Sequence, residues 1–123
     1  MSDEHTMRIG EVAERTELSF RTLRHYDEIG LVPPSARTDG GFRLYTEDDV
    51  ARILLIRRMK PLGFTLDEMR ELLDVVDALP SRPDDAELRA RLASIQQEAS
   101  ERRERLTRQV GMADEFLEQL SRI

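Results

Sequence analysis

The sequence predicts a mainly α-helical chain: a compact N-terminal head carrying one small β-hairpin, followed by a single long coiled-coil helix. Three observations predict it. Apolar residues recur in steps of three and four through most of the 123 residues, the helical period. Asp39-Gly40-Gly41 interrupts that pattern with a hairpin turn. From residue 84 to 123 there is no proline, and Gly111 is the one glycine, so nothing in that stretch stops a helix. Hydrophobic residues make up 39% of the chain and charged residues 36%, which suits a small core with much solvated surface.

The elements follow in order. Residues 1–7 are polar and acidic and read as a flexible tail, and the head spans 8–79. Ile9, Val12 and Ala13 define a short first helix that Thr16-Glu17-Leu18 ends. Ser19 is an N-cap for a second helix reaching Glu28, with Phe20, Leu23 and Tyr26 on its inner face. Gly30 closes it, and Pro33-Pro34 forbids helix beyond. Ala36-Arg37 and Phe42–Tyr45 flank the glycine turn as two short strands.

Thr46 caps a third helix, with Asp48 and Asp49 favouring its dipole and Val50, Ile53, Leu54 and Ile56 facing inward. It ends near Leu62-Gly63. Thr65 and Glu68 form a capping box for a fourth helix with Leu66, Met69, Leu72, Leu73 and Val76 inside. Residues 80–83 are a proline-bearing linker. In 84–123, Leu88, Leu92, Ile95, Ala99, Leu106, Val110, Ala113, Leu117 and Leu120 form a heptad seam that Arg102 and Gln109 interrupt. Such a helix is about 55 Å long and needs a partner, most simply a second copy of itself.

Composition excludes several functions. There is no cysteine, which removes disulfides, thiolate metal sites and cysteine nucleophiles. His5 and His25 form no metal-binding pattern, and no nucleophile has a base beside it, so neither metal, cofactor nor enzymatic chemistry is expected. No segment is long enough to cross a bilayer and the start is no signal peptide, so a cytoplasmic protein is expected. The net charge is −6, but it is uneven: residues 8–60 carry 10 basic and 9 acidic side chains, and residues 61–123 carry 9 and 14. A polyanionic partner would therefore meet the head.

Five blocks stand in a recognisable order: Arg8-Ile9-Gly10-Glu11-Val12-Ala13, Arg21-Thr22-Leu23-Arg24-His25-Tyr26-Asp27, Gly30-Leu31-Val32, Gly41-Phe42-Arg43-Leu44-Tyr45 and Leu62-Gly63-Phe64-Thr65-Leu66. Over residues 8 to about 76 the chain resembles the MerR family of bacterial transcription regulators. The resemblance implies a winged helix-turn-helix, with the second helix in the major groove of DNA and the hairpin as a wing on the flanking backbone. It also implies an antiparallel homodimer on a pseudo-palindromic promoter, whose spacer is bent and untwisted until RNA polymerase can use both promoter elements. His25 and Phe42 stand where tyrosine is common in the family. The missing cysteines argue against its metal and redox sensors, and residues 84–123 leave little room for a separate effector domain.

On this basis Arg21 and Arg24 are placed on one face of the second helix toward guanine edges or phosphates, with Ser19, Thr22 and His25 as neutral donors and Tyr26 beside them. The bland alternative for Arg24 is an i,i+3 pair with Asp27 on a solvated face. Arg37 and Arg43 are assigned to the wing backbone contact, with Tyr45 donating its hydroxyl. Their alternative is to guard an edge strand against aggregation. Arg57, Arg58 and Lys60 are assigned phosphate contacts, although cations at a helix end favour its dipole without DNA. Glu98 and Arg102 read as an i,i+4 surface pair. A protein-interaction adaptor is the rival function, motivated by the acidic balance. A small-molecule groove beside Leu72, Val76 and Leu79 is weighed against plain interface packing.

Overall fold

The computed structural model describes residues 5–123. Its elements are β1 (Met7–Arg8), α1 (Ile9–Thr16), α2 (Phe20–Glu28), β2 (Ala36–Arg37), β3 (Arg43–Tyr45), α3 (Glu47–Met59), a 3-10 turn (Lys60–Leu62), α4 (Leu66–Ala78) and α5 (Ala86–Ser121). The chain divides into two compact units, one ending at Leu73 and the other covering Asp74–Ile123.

In the first unit α1 packs on α2, on α3 and on the small sheet. Val12, Leu23, Val32, Tyr45, Val50, Ile53 and Ile56 are almost fully buried there. Each such side chain contributes about 2 kcal/mol by leaving water. The sheet has three strands in the order β1-β3-β2, all antiparallel. Met7 pairs with Tyr45 and Arg8 with Leu44, while Ala36 pairs with Leu44 and Arg37 with Arg43. The third strand went unseen in the sequence because two residues have no periodicity to read. It corrects the tail expected over residues 1–7: Met7 is a strand residue with a buried side chain, and residues 1–4 lie outside the described residues.

Local chemistry sets the helix ends. Ser19 Oγ accepts from the Thr22 N–H at 3.1 Å and caps α2. At its other end Gly30 takes φ +69°, and the N–H groups of Leu31 and Val32 donate to the Tyr26 carbonyl. That closing turn needs a residue without a Cβ. Arg70 of α4 donates to the Ile29 carbonyl at 2.6 Å, covering a group α2 leaves unpaired.

The Asp49 carboxylate is the polar hub of the head, buried at 3% exposure. One of its oxygens accepts from the Thr46 N–H at 3.0 Å, the Ser35 N–H at 3.1 Å and the Ser35 hydroxyl at 2.6 Å. Its other oxygen pairs with Arg52 at 3.1 Å. Thr46 returns the bond to the Asp49 N–H, completing a capping box for α3. The same carboxylate thus starts α3 and fixes the loop that leads into the hairpin.

Three inward assignments are corrected. Phe20 is 45% exposed, because at the first turn of α2 it lies beyond the core that Leu23 and Tyr26 fill. Leu66, likewise in a first turn, is exposed. Val75 is buried where Val76 was expected and Val76 is only half-buried, since a helical stripe drifts round the axis and two neighbouring valines compete for the inside position. The unit boundary also falls inside α4, before the 80–83 linker. A helix stops where its backbone is broken, but a compact unit stops where side-chain contacts do. Residues 79–85 form consecutive turns, in which Arg82 donates to Ala78 and Leu79, and Asp85 to Arg82.

In the second unit Asp85 caps α5 by accepting from the Leu88 N–H at 3.0 Å. The helix runs unbroken through Gly111 for 36 residues, about 54 Å. Leu88, expected in the intermolecular seam, is only 5% exposed and is covered within its own chain.

Removing the hub carboxylate strands the buried Thr46 N–H, the part-buried bonds of Ser35 and a guanidinium. Asp49→Ala should therefore lower unfolding free energy by about 3 kcal/mol, which urea denaturation followed by circular dichroism will measure.

Candidate nucleic-acid interface

The helix face opposite Leu23 and Tyr26 carries Arg21, Arg24 and His25, all exposed. Arg21, Thr22, Arg24, His25, Tyr26, Glu28 and Lys60 line one concavity of about 590 Å³, so three cations face one carboxylate. Tyr26 contributes its floor from a largely buried position. Among the described residues Arg21, Arg24 and Lys60 have no carboxylate within ion-pair distance. The Arg24 guanidinium instead lies over the Phe20 ring, 5.7 Å from its centroid. The i,i+3 pairing with Asp27 is absent, and Arg24 keeps its donors.

Asp27 is occupied elsewhere. Its Oδ2 accepts from Arg37 at 2.7 Å and from Arg43 Nε at 2.8 Å. The two wing arginines that the sequence singles out are thus drawn onto the C-terminal part of α2. Burial of the Asp27 side chain opposes its charge, but the hydrogen bonds and charges of Arg43 and Arg37 outweigh that, holding its carboxyl below the usual range. Sequence reading missed this tie because residues 27, 37 and 43 become neighbours only once the hairpin folds back.

Tyr45 is corrected. It is wholly buried, and among the described residues its hydroxyl has no hydrogen-bond partner, so it anchors β3 in the core and cannot reach a phosphate. Burial pushes its phenol pKa up. Arg57 pairs with Glu17 at 2.9 Å, while Arg57, Arg58, Lys60 and Pro61 line a shallow neighbouring depression. Glu17 has φ +58°, a conformation costing a non-glycine residue roughly 1 kcal/mol, and the pair with Arg57 helps to hold it. The described residues contain no group of histidines and carboxylates that could hold a metal ion. No helix is long and apolar enough to cross a membrane.

A capped helix presenting unpaired arginines, beside a hairpin fixed to that same helix, is the arrangement of a winged helix-turn-helix. Residues 7–75 match the family described as MerR HTH family regulatory protein, and residues 50–113 the one described as MerR, DNA binding. The chain belongs to the MerR family.

Within the MerR family, the chain is 36% identical over 110 residues to the HTH-type transcriptional regulator YfmP of Bacillus subtilis, covering 89% of this chain and 79% of that protein. It is 46% identical over 70 residues to the mercuric resistance operon regulatory protein of Bacillus cereus, covering 57% and 53%. The chain spans about half the length of several such relatives. Among solved structures it resembles MtaN, the N-terminus of the Bacillus subtilis multidrug transporter activator, with a TM-score of 0.58 and 36% identity over 94% of this chain and 95% of that one.

Two outcomes follow. Tyr45→Phe should leave DNA affinity unchanged and stability within about 1 kcal/mol, since the lost hydroxyl was unpaired; a filter-binding titration and a thermal melt will check both. A carboxyl with a depressed folded pKa stabilises above its unfolded value and loses that contribution as pH falls through the folded one. The wing should therefore stay docked at neutral pH and loosen below about pH 4, seen as faster amide exchange at Arg37 and Arg43 that Asp27→Asn reproduces at pH 7.

Proposed function

We propose that the protein is a transcription regulator that binds duplex DNA sequence-specifically, as a homodimer on a pseudo-palindromic promoter. The observation that carries this reading is the cationic concavity on α2: among the described residues Arg21, Arg24 and Lys60 have no carboxylate partner, in a chain whose net charge is −6. Arginine matches guanine O6 and N7 bidentately, and a helix of this width enters the major groove. Arg57, Arg58 and the wing supply backbone contacts that fix register. Its relatives, a transcriptional regulator and a multidrug transporter activator among them, support the same reading.

The homodimer rests on α5. Leu106, Val110, Leu117 and Leu120 are exposed along one side of the helix, with Leu92, Ile95 and Ala99 half-buried and Ala113 between them. A seam of this length packs against an antiparallel copy. Two heads then reach successive half-sites, and their contacts offset the cost of bending and untwisting the spacer for RNA polymerase. Such a protein works in the bacterial cytoplasm. Mercury does not transfer as an effector from the Bacillus cereus relative, because a soft metal needs thiolate ligands and the chain has no cysteine.

The test is a salt series on duplexes that the protein selects from a random-sequence pool. Binding should weaken steeply with salt through counterion release, and Arg24→Ala should reduce affinity for the selected duplex about tenfold with little change on an unrelated one. Salt-independent or absent binding would favour the adaptor reading instead. Leu117→Glu, which buries a charge in the seam, should yield a monomer in sedimentation equilibrium with its head still folded.

A further inference from the structure

The two faces of the wing differ in charge. Side chains alternate along β3, so Arg43 lies on one face and Phe42 and Leu44 on the other. Arg43 and its cross-strand neighbour Arg37 both meet Asp27. On the opposite face Arg8 of β1 stands across from Leu44, which makes Phe42 its diagonal neighbour, within reach of a long side chain. The Arg8 guanidinium lies over the Phe42 ring, 5.2 Å from its centroid. Among the described residues Arg8 has no carboxylate partner.

The ring is held in place although it is 62% exposed. The Phe42 N–H donates to Thr38 Oγ1 at 3.1 Å, and its carbonyl accepts from the Thr38 N–H at 2.9 Å. Gly41 turns the chain at φ +85°. Gly40 lies under the ring so closely that an added Cβ would come within 3.4 Å of it. From the other side, buried Met7 anchors β1 against β3. An exposed apolar residue is ordinary by itself; one that is positioned by its backbone and covered by an unpaired guanidinium is not. Stacking restrains the arginine while leaving its in-plane N–H donors available to an oxyanion.

We propose that Arg8, held on the Phe42 ring, is a phosphate ligand of the wing, adding a DNA-backbone contact that neither α2 nor the Asp27-bound arginines supply. Phe42 is its positioning residue. The proposal rests on the DNA-binding reading above and deepens it. Arg37 and Arg43 share the single charge of Asp27, whereas Arg8 has no carboxylate partner among the described residues.

The experiment titrates wild-type protein and variants over a salt series, with a duplex selected by the wild type and an unrelated duplex of equal length. Arg8→Gln should weaken binding to both by a similar factor, about 3- to 10-fold, and flatten the salt dependence by about 0.9 for each head bound. Arg8→Met, which keeps the stem but not the charge, should do the same, and Arg8→Lys should restore the slope. Phe42→Ala should weaken binding about threefold, and Phe42→Tyr should not. If Arg8→Gln and Arg8→Met leave affinity and slope unchanged while Arg24→Ala loses the selected duplex, the Arg8 contact is overturned and the DNA-binding reading stands. If the wild type shows no salt-dependent binding to either duplex, both are overturned.

Discussion

A ribbon made of two- and three-residue strands cannot hold itself in water, so the wing exists only because three ties hold it to the head. Tyr45 buries its ring in the core at the base of β3. Met7 adds a third strand on the open edge. Asp27 draws Arg37 and Arg43 onto α2 through a single carboxylate oxygen. The first two ties place the base of the ribbon; the third sets its angle to the helix that would enter the groove. Helix and wing are therefore tied at Asp27, and in the proposed function a change there would alter the geometry of a DNA contact without touching DNA.

Charge is distributed by the same logic. The chain as a whole is acidic, which disfavours indiscriminate association with a polyanion. Several of its arginines are also spent internally: Arg15 on Glu47, Arg57 on Glu17, Arg37 and Arg43 on Asp27. Among the described residues, the head's cations without a carboxylate partner include Arg21, Arg24 and Lys60 around α2 and Arg8 on the wing. In the proposed DNA-binding reading, affinity would depend on a few cations at fixed positions, and a duplex would have to fit them to gain from them. A uniformly basic surface would bind tightly and discriminate poorly.

Much of this was legible in the sequence, wherever a local rule is decisive. Ser19, Thr46, and Thr65 with Glu68 cap the helices they were assigned to; a cap involves residues three apart, so sequence distance and spatial distance coincide. The hairpin was legible because Gly40-Gly41 leaves few alternatives. Tyr45 was misread because an aromatic on a ribbon beside two arginines looks like a surface residue, and only the pairing with β1 shows that its face is inward. Phe20 was misread in the opposite sense, because helical spacing says which side a residue takes but not where along that side the core ends. Leu88 fits the heptad yet is satisfied within its own chain. The Asp27 tie joins residues 10 and 16 positions apart, beyond any local pattern.

The tie between the wing and α2 matters because of what the proposed function would ask of it. Bending a site of a few turns costs about 1–6 kcal/mol, and that energy must come from contacts made only when the DNA is deformed. A compliant reader would flex to meet straight DNA and leave it straight. In the proposed function, a head in which α2 and the wing are tied by a carboxylate that stays ionised at neutral pH would present fixed points, and the strain would fall on the duplex. The spacing between α2 and the wing would then act as a template, and sequences that deform easily would be preferred even at bases no side chain reaches. Asp27 lies on neither the concavity nor the outer face of the wing, yet it converts two sets of contacts into one shape.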